Sequence, residues 1–214
     1  MIYVGIDFSI NSTGVTILKN DKFIWLNFAA NVKYGNKPFI QHNIIKDFKN
    51  VHIESYERKV PKTSYSDEQE YKINNAYGIA QKIIEKIKDI AGKDDRIIVA
   101  FEGFSYGSKG RSFIDLIAYN STLKSLLVTA GITEIKVYSP SEIKKDFTGK
   151  GNCGKNKMFE SFLNVDDKRL CKDAIWKHCS SLEILDGADP AKPFDDLVDS
   201  FAILRKLVTD YSHS

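Results

Sequence analysis

Four carboxylates stand where a folded chain can gather them. Asp7 closes the apolar run MIYVGIDF and is followed by the polar turn Ser9-Ile-Asn-Ser-Thr-Gly14. Glu102 repeats the pattern, coming straight after the apolar Ile97–Phe101. In an α/β sheet such strands carry functional groups at their carboxyl ends. Asp196 and Asp199 lie in Phe194-Asp-Asp-Leu-Val-Asp-Ser-Phe-Ala-Ile203, and the i, i+3 spacing puts both on one helix face near its N-terminal end. Each has an everyday reading: an aspartate capping its turn, a surface acid at a strand exit, first-turn acids complementing the helix dipole. Together they form a set of oxygen ligands, and acids packed this closely repel unless cations sit among them. Such a set holds two Mg²⁺ ions about 3.5–4 Å apart, one activating a water for in-line attack on a phosphodiester and the other stabilising the leaving 3′ oxygen. Asp195 adjoins the pair, but only Asp196 keeps the i, i+3 spacing to Asp199.

The elements that must position these acids can be read from periodicity and turn chemistry. Ile2, Val4 and Ile6 alternate along a first strand, and turns at Asn11–Gly14 and Asn20-Asp21 separate it from strands at Val15–Leu18 and Lys22–Phe28. Three closely spaced antiparallel strands make a meander. Residues 30–66 read as an insertion or long loop with a short strand at Val51–Tyr56. Ile73, Ala76, Ala80, Ile83, Ile84 and Ile87 predict a helix over Asp67–Ala91, stopped by Gly92. A wholly apolar strand at Ile97–Phe101 suits the middle of a sheet. A helix over Ser112–Ala130 and a strand at Ile135–Tyr138 follow, then a helix opened by Ser139 and Glu142 as a capping box. A glycine-rich loop over Gly149–Gly154 leads into a helix over Lys155–Leu163, and Phe194–Tyr211 is the last helix, packed through Leu197, Phe201, Leu204 and Val208. This order predicts one α/β domain over residues 1–214, a mixed central sheet with helices on both faces.

The 214 residues are 43% hydrophobic and 28% charged, as in an ordinary globular chain. No apolar run approaches the roughly 20 residues of a membrane span, and MIYVGIDF has no basic leader or small-residue cleavage site. Cys153, Cys171 and Cys179 form no CxxC pair, which argues for a reducing compartment and against a zinc site. Cys171 and Cys179 read as core thiols, and Trp176 as a core or dimer contact. A cytoplasmic location is expected, in a bacterium or a virus-infected host cell. The net charge of +3 decides little, but the charges are segregated. Lys144, Lys145, Lys150, Lys155 and Lys157 crowd one stretch, whereas six acids stand against Lys192 between Glu183 and Asp199. An acidic metal centre beside a basic surface suits a polyanionic substrate.

Four segments resemble the RuvC-type Holliday junction resolvases: Gly5-Ile-Asp-Phe-Ser-Ile-Asn-Ser-Thr-Gly14, Phe-Glu102-Gly-Phe, Gly149-Lys-Gly-Asn-Cys-Gly-Lys155-Asn-Lys-Met158 and Asp196-Leu-Val-Asp199-Ser-Phe-Ala. They occur in that family's order and span nearly the whole chain. The resemblance implies an RNase H-like fold, a homodimer, and Mg²⁺- or Mn²⁺-dependent cutting of four-way DNA junctions by symmetric nicks. It makes Asp7, Glu102, Asp196 and Asp199 metal ligands and sets Lys155 near the scissile phosphate. It also implies an aromatic near the junction centre, for which Phe104 and Tyr106 are the candidates; aromatics beside glycines can stack on exposed bases. Glycines at 149, 151 and 154 let the backbone approach a phosphate beside Lys150, Lys155 and Lys157, and Lys109 and Arg111 extend the basic track. Residues 30–66 and about 165–190 depart from a compact bacterial resolvase, which points to a divergent or viral branch and leaves junction specificity open.

Other functions fit parts of the pattern. The actin-like ATPases and sugar kinases also open on a strand, an acid and a Ser/Thr/Gly turn, but they need a second lobe and leave the Asp196/Asp199 helix unexplained. A branched-DNA binding protein without catalysis would keep no use for four clustered acids. A fork, a flap or an RNA–DNA hybrid as substrate retains the same chemistry.

Overall fold

A computed structural model describes residues 1–33, 40–104, 109–181 and 192–212. Its six-stranded sheet has the order β4-β3-β2-β1-β5-β6. β1 (Ile2–Asp7), β2 (Ser12–Lys19) and β3 (Lys22–Ala30) form the antiparallel meander, with Asp7 opposite Gly14 and Asn27 opposite Gly14 on the other side. β4 (Val51–Tyr56) runs parallel to β3 at one edge, while β5 (Ile97–Glu102) and then β6 (Glu134–Tyr138) extend the sheet in parallel beyond β1. The mixed sheet expected from the element order is present. So is the strand at Val51–Tyr56; helix α1 (Ile40–Ile45) within the same region had no sequence signal.

Strand periodicity decides which face each acid takes, because successive side chains alternate between faces. Ile2, Val4, Ile6, Val99 and Phe101 pack with α2 (Tyr65–Ala91) and α3 (Arg111–Thr129) on one side. Tyr3, Ile98 and Ala100 pack on the other, where α4 (Pro140–Thr148), α5 (Lys155–Leu163), α6 (Ala174–Ser181) and α7 (Phe194–Ser212) lie. Helices therefore cover both faces. Asp7 continues the Tyr3, Gly5 series and Glu102 the Ile98, Ala100 series, so both acids emerge on the α7 face. β1 and β5 pair in parallel with Ile6 opposite Phe101. The next step along both strands brings Asp7 and Glu102 side by side.

Helix ends follow their local chemistry. Ser64 caps α2 by accepting the Asp67 N–H at 3.1 Å, and Ser139 and Glu142 form the expected capping box on α4. Two readings are corrected. Ile73 matches the helical spacing of the α2 core stripe but is 69% exposed, because Ala76, Ile79, Ala80, Ile83 and Ile87 already fill the sheet-facing stripe. Cys171 is exposed on a 3-10 turn (Leu170–Lys172) whose buried residue is Leu170; Cys179 is buried as read. Trp176 packs against the α7-side core, its buried indole nitrogen without a hydrogen-bond partner among the described residues.

Helix α7 lies directly on β1 and β2. A Cβ at Gly5 would stand 2.3 Å from the Ser200 carbonyl oxygen, and one at Gly14 would stand 2.1 Å from that of Asp196. These two glycines are absent side chains that a helix occupies. Thr16 and Ser200 then hydrogen-bond across the contact at 2.7 Å. Gly5→Ala and Gly14→Ala should each lower stability by about 1–3 kcal/mol through overpacking. Gly78, inside α2 with nothing near a built Cβ, gives the contrast: Gly78→Ala should raise stability by about 0.5–1 kcal/mol. Urea unfolding of the three variants checks both signs.

Candidate active site

The carboxyl end of β1, that of β5 and the first turns of α7 meet at one end of the sheet. Asp7 comes from β1, Glu102 from β5, and Asp195, Asp196 and Asp199 from α7. The geometry brings Asp7, Glu102, Asp196 and Asp199 close enough for each to alter another's protonation. Burial pushes the Asp7 carboxyl well above the ordinary range, and the charges of Asp199, Asp196 and Glu102 push it further. Burial and then Glu102 raise Asp199 to about 7. Asp196 is raised by burial and by Asp195, and Glu102 is raised by burial against the pull of Lys144.

Lysines supply the opposing charge. Lys155, at the start of α5, forms an ion pair with Asp195. Lys192 pairs with both Asp195, at 3.0 Å, and Asp196. Burial alone would raise Asp195, but these two ammonium groups outweigh it and hold the carboxyl below its usual range. The adjacent acids thus differ in role: Asp195 anchors the lysines, and Asp196 interacts with Asp7. The other oxygen of Asp196 accepts a hydrogen bond from the Ser12 hydroxyl. Glu102, Asp199, Lys144 and Lys155 line a cavity of about 110 Å³ whose apolar wall is Ile143, Met158 and Ile203.

The donor set suits a hard divalent cation. All four groups are carboxylates, the oxygen ligands such ions prefer, and two of them, Asp7 and Asp199, are raised partly by the charge of the others. Among the described residues, however, no three acidic, histidine or cysteine side chains already converge on one ion. Both oxygens of Asp196 are turned to Ser12 and Lys192.

Of the basic residues named from sequence, Lys155 stands at the acids. Lys150 is exposed in the α4–α5 turn, where Gly149 caps α4 in the left-handed conformation (φ 80°). Lys157 pairs with Glu160 at 2.9 Å. Lys109 is exposed, and Arg111 reaches across to Glu68 on α2 at 2.5 Å. Phe104 packs edge-to-face on Phe113 with the Lys124 ammonium over its ring at 5.6 Å, so it is seated against α3. Tyr106 lies outside the described residues. Lys192, Lys144, Ser12 and Asn27 were missed from sequence. Lys192 carried a usable signal as the one cation among the six acids between Glu183 and Asp199.

No family model and no curated protein matches the chain. In overall structure it is similar to Thermus thermophilus RuvC, at 15% identity and a TM-score of 0.49 over 95% of this chain and 91% of that one. It is also similar to T. thermophilus RuvC in complex with Holliday junction substrate, at 10% identity and a TM-score of 0.49 over 100% and 96%. The yeast mitochondrial Holliday junction resolvase Ydc2 aligns at 12% identity with a TM-score of 0.39, over 94% and 75%. Identities this low leave the functional reading to the chain's own residues.

Crowded acids make stability depend on pH. Aspartates of an unfolded chain titrate near 3.9, whereas Asp199 in the fold titrates at about 7. Between those values the folded state binds the extra proton, so this group's contribution to stability is present at low pH and is lost as pH rises to 7. In buffer free of divalent ions, Asp199→Asn should gain on the wild type as pH rises from 5 to 7.5, ending more stable by on the order of 1 kcal/mol. Urea midpoints across that range measure the difference.

Proposed function

We propose that this protein is a metal-dependent, structure-selective DNA endonuclease that resolves four-way junctions by paired nicks, working as a homodimer. The observation that supports it is the meeting of Asp7, Glu102, Asp196 and Asp199 at one end of the sheet, each buried or half-buried, with Asp7 and Asp199 raised partly by the charge of the others. Acids arranged at this cost to stability point to a cationic ligand, and the motifs that supply them resemble those of RuvC-type resolvases.

In this reading Asp7, Glu102, Asp196 and Asp199 would hold two Mg²⁺ or Mn²⁺ ions. When bound, the ions neutralise phosphodiester charge and lower the pKa of water. Asp195 keeps Lys155 and Lys192 beside the acids, and Lys155, half exposed, presents its ammonium to a phosphate entering from solvent. Lys150 and Lys157, with Lys109 and Arg111, extend the basic surface along the backbone. Contacts of that kind bind any sequence and weaken with salt. Junction selectivity then comes from the spacing of two such sites in a dimer.

A surface for the second copy is available on the opposite face. Ile73 and Tyr77 lie one turn apart on α2, Ile114 and Ile117 lie on α3, and all four are exposed. Lys72 ties the helices together through Asp115 at 2.7 Å, right beside Ile73 and Ile114. Exposed apolar side chains clustered on a rigid helix pair mark an interaction surface.

Two outcomes follow. With Mg²⁺, the wild type should cut a four-way junction in preference to a fork, a flap, a duplex or an RNA–DNA hybrid, and EDTA should stop it. Asp7→Asn or Glu102→Gln should slow cutting roughly 10²–10³-fold, the scale of losing one charge-stabilising group, while junction binding persists in a gel-shift assay. Wild-type rates in either variant would remove the site assignment, and binding without cutting by the wild type would favour a non-catalytic binder. For the dimer, the wild type should sediment as a dimer at micromolar concentration and the double variant Ile73→Asp, Ile114→Asp as a folded monomer.

A further inference from the structure

One set of buried polar groups is not used by the reading above. Asn27 interrupts the apolar run of β3, and its side chain faces α7 because it pairs with Gly14. Its amide nitrogen lies 3.3 Å from the Ser12 hydroxyl and 3.3 Å from the Thr13 carbonyl. Its amide oxygen lies 3.1 Å from His42 Nε2, which reaches it from α1. Ser12 in turn hydrogen-bonds to Asp196. Ser12, Asn27, His42 and Asp196 are all buried.

Donor and acceptor chemistry fixes the direction of each bond. The Thr13 carbonyl only accepts, so the Asn27 amide nitrogen must face it and Ser12, which leaves the amide oxygen toward His42. That oxygen only accepts, so His42 Nε2 donates. The Ser12 oxygen receives the Asn27 N–H, and its own proton goes to Asp196. Donors therefore point one way along the whole line, from His42 to Asn27 to Ser12 to the carboxylate. Bonds ordered in one direction polarise one another, and a dry surrounding strengthens them.

We propose that Asn27 and His42 are positioning residues for Asp196, setting through Ser12 the direction in which its carboxylate faces and hence the site's affinity for a divalent cation. This rests on the reading of Asp196 as a metal-holding carboxylate. Partners that orient a ligating side chain typically contribute 10–100-fold to metal affinity. His42 lies far from the acids in sequence, and its hydrogen bond to Asn27 connects it to Asp196 through Ser12.

The test is Mn²⁺ binding by titration calorimetry, with melting temperature measured in parallel and no DNA present. His42→Leu should weaken Mn²⁺ binding about tenfold, and Ser12→Ala, a smaller change, should weaken it as much. His42→Gln, whose amide can donate from near the Nε2 position, should bind Mn²⁺ close to the wild type. Wild-type affinity in Ser12→Ala would overturn the proposal, as would wild-type affinity in His42→Leu with only a lower melting temperature. A loss in His42→Gln equal to that in His42→Leu would also overturn it, since the donor would then not matter. Asp196→Asn separates the two levels. If it binds Mn²⁺ as the wild type does, Asp196 is not a ligand and both ideas fail; if it loses affinity while Ser12→Ala and His42→Leu do not, only the positioning role fails.

Discussion

Everything at the acidic end depends on helix α7 lying against bare backbone. Gly5 and Gly14 leave no Cβ where the Ser200 and Asp196 carbonyls come down. The helix axis is therefore closer to the sheet than side chains on β1 and β2 would allow. Aspartate is short, and at an ordinary helix–sheet distance the carboxylates of α7 would fall short of Asp7. The apolar stripe Leu197, Phe201, Leu204 and Leu207 is almost wholly buried. At about 1.5–3 kcal/mol for each large apolar side chain, that stripe holds the helix down against the repulsion at its first turn.

Repulsion and attraction are arranged unequally among the five acids. Asp7 and Asp199 have their protonation raised, while Asp195 is held ionised by Lys155 and Lys192. Asp196 stands between the two groups, hydrogen-bonded to Ser12 and paired with Lys192. The lysines, one from α5 and one just before α7, offset part of the acids' charge beside a first turn whose helix dipole favours acids. The result is a group of acids held together against their own burial and repulsion, as expected where function opposes local stability.

Much of this was legible because periodicity and stop signals are local. The long helices were expected at Asp67–Ala91, Ser112–Ala130 and Phe194–Tyr211, and they begin and end within two residues of those bounds. Gly92 and Gly131 stop two of them, and both have positive φ. The acids were also legible as types, but their convergence was not, since it requires the parallel register of β1 with β5 and the close seat of α7. Ile73 shows the limit of spacing alone: it fits the stripe, and the stripe was already full. Residues 40–45 were illegible for the opposite reason, a single short helix held by contacts from elsewhere in the fold. Asn27 carried a signal that went unread, as a lone polar residue inside Phe23-Ile-Trp-Leu-Asn-Phe-Ala-Ala; buried polar groups need partners, and a partner implies a network.

The edge strand gives that network its setting. Without β4, β3 would be the edge of the sheet and would offer its outer backbone groups to water. Pairing of β3 with β4 from Trp25–Val51 to Ala30–Tyr56 makes β3 an interior strand. Helix α1, which leads into β4, then places His42 over Asn27 and closes the polar line from the outside. Water admitted there would compete for each donor and erase the single direction that the line imposes on Asp196. The region with the least secondary-structure signal therefore keeps dry the hydrogen bonds reaching the acidic centre, and orienting a carboxylate two strands away is a physical reason for the chain to carry it.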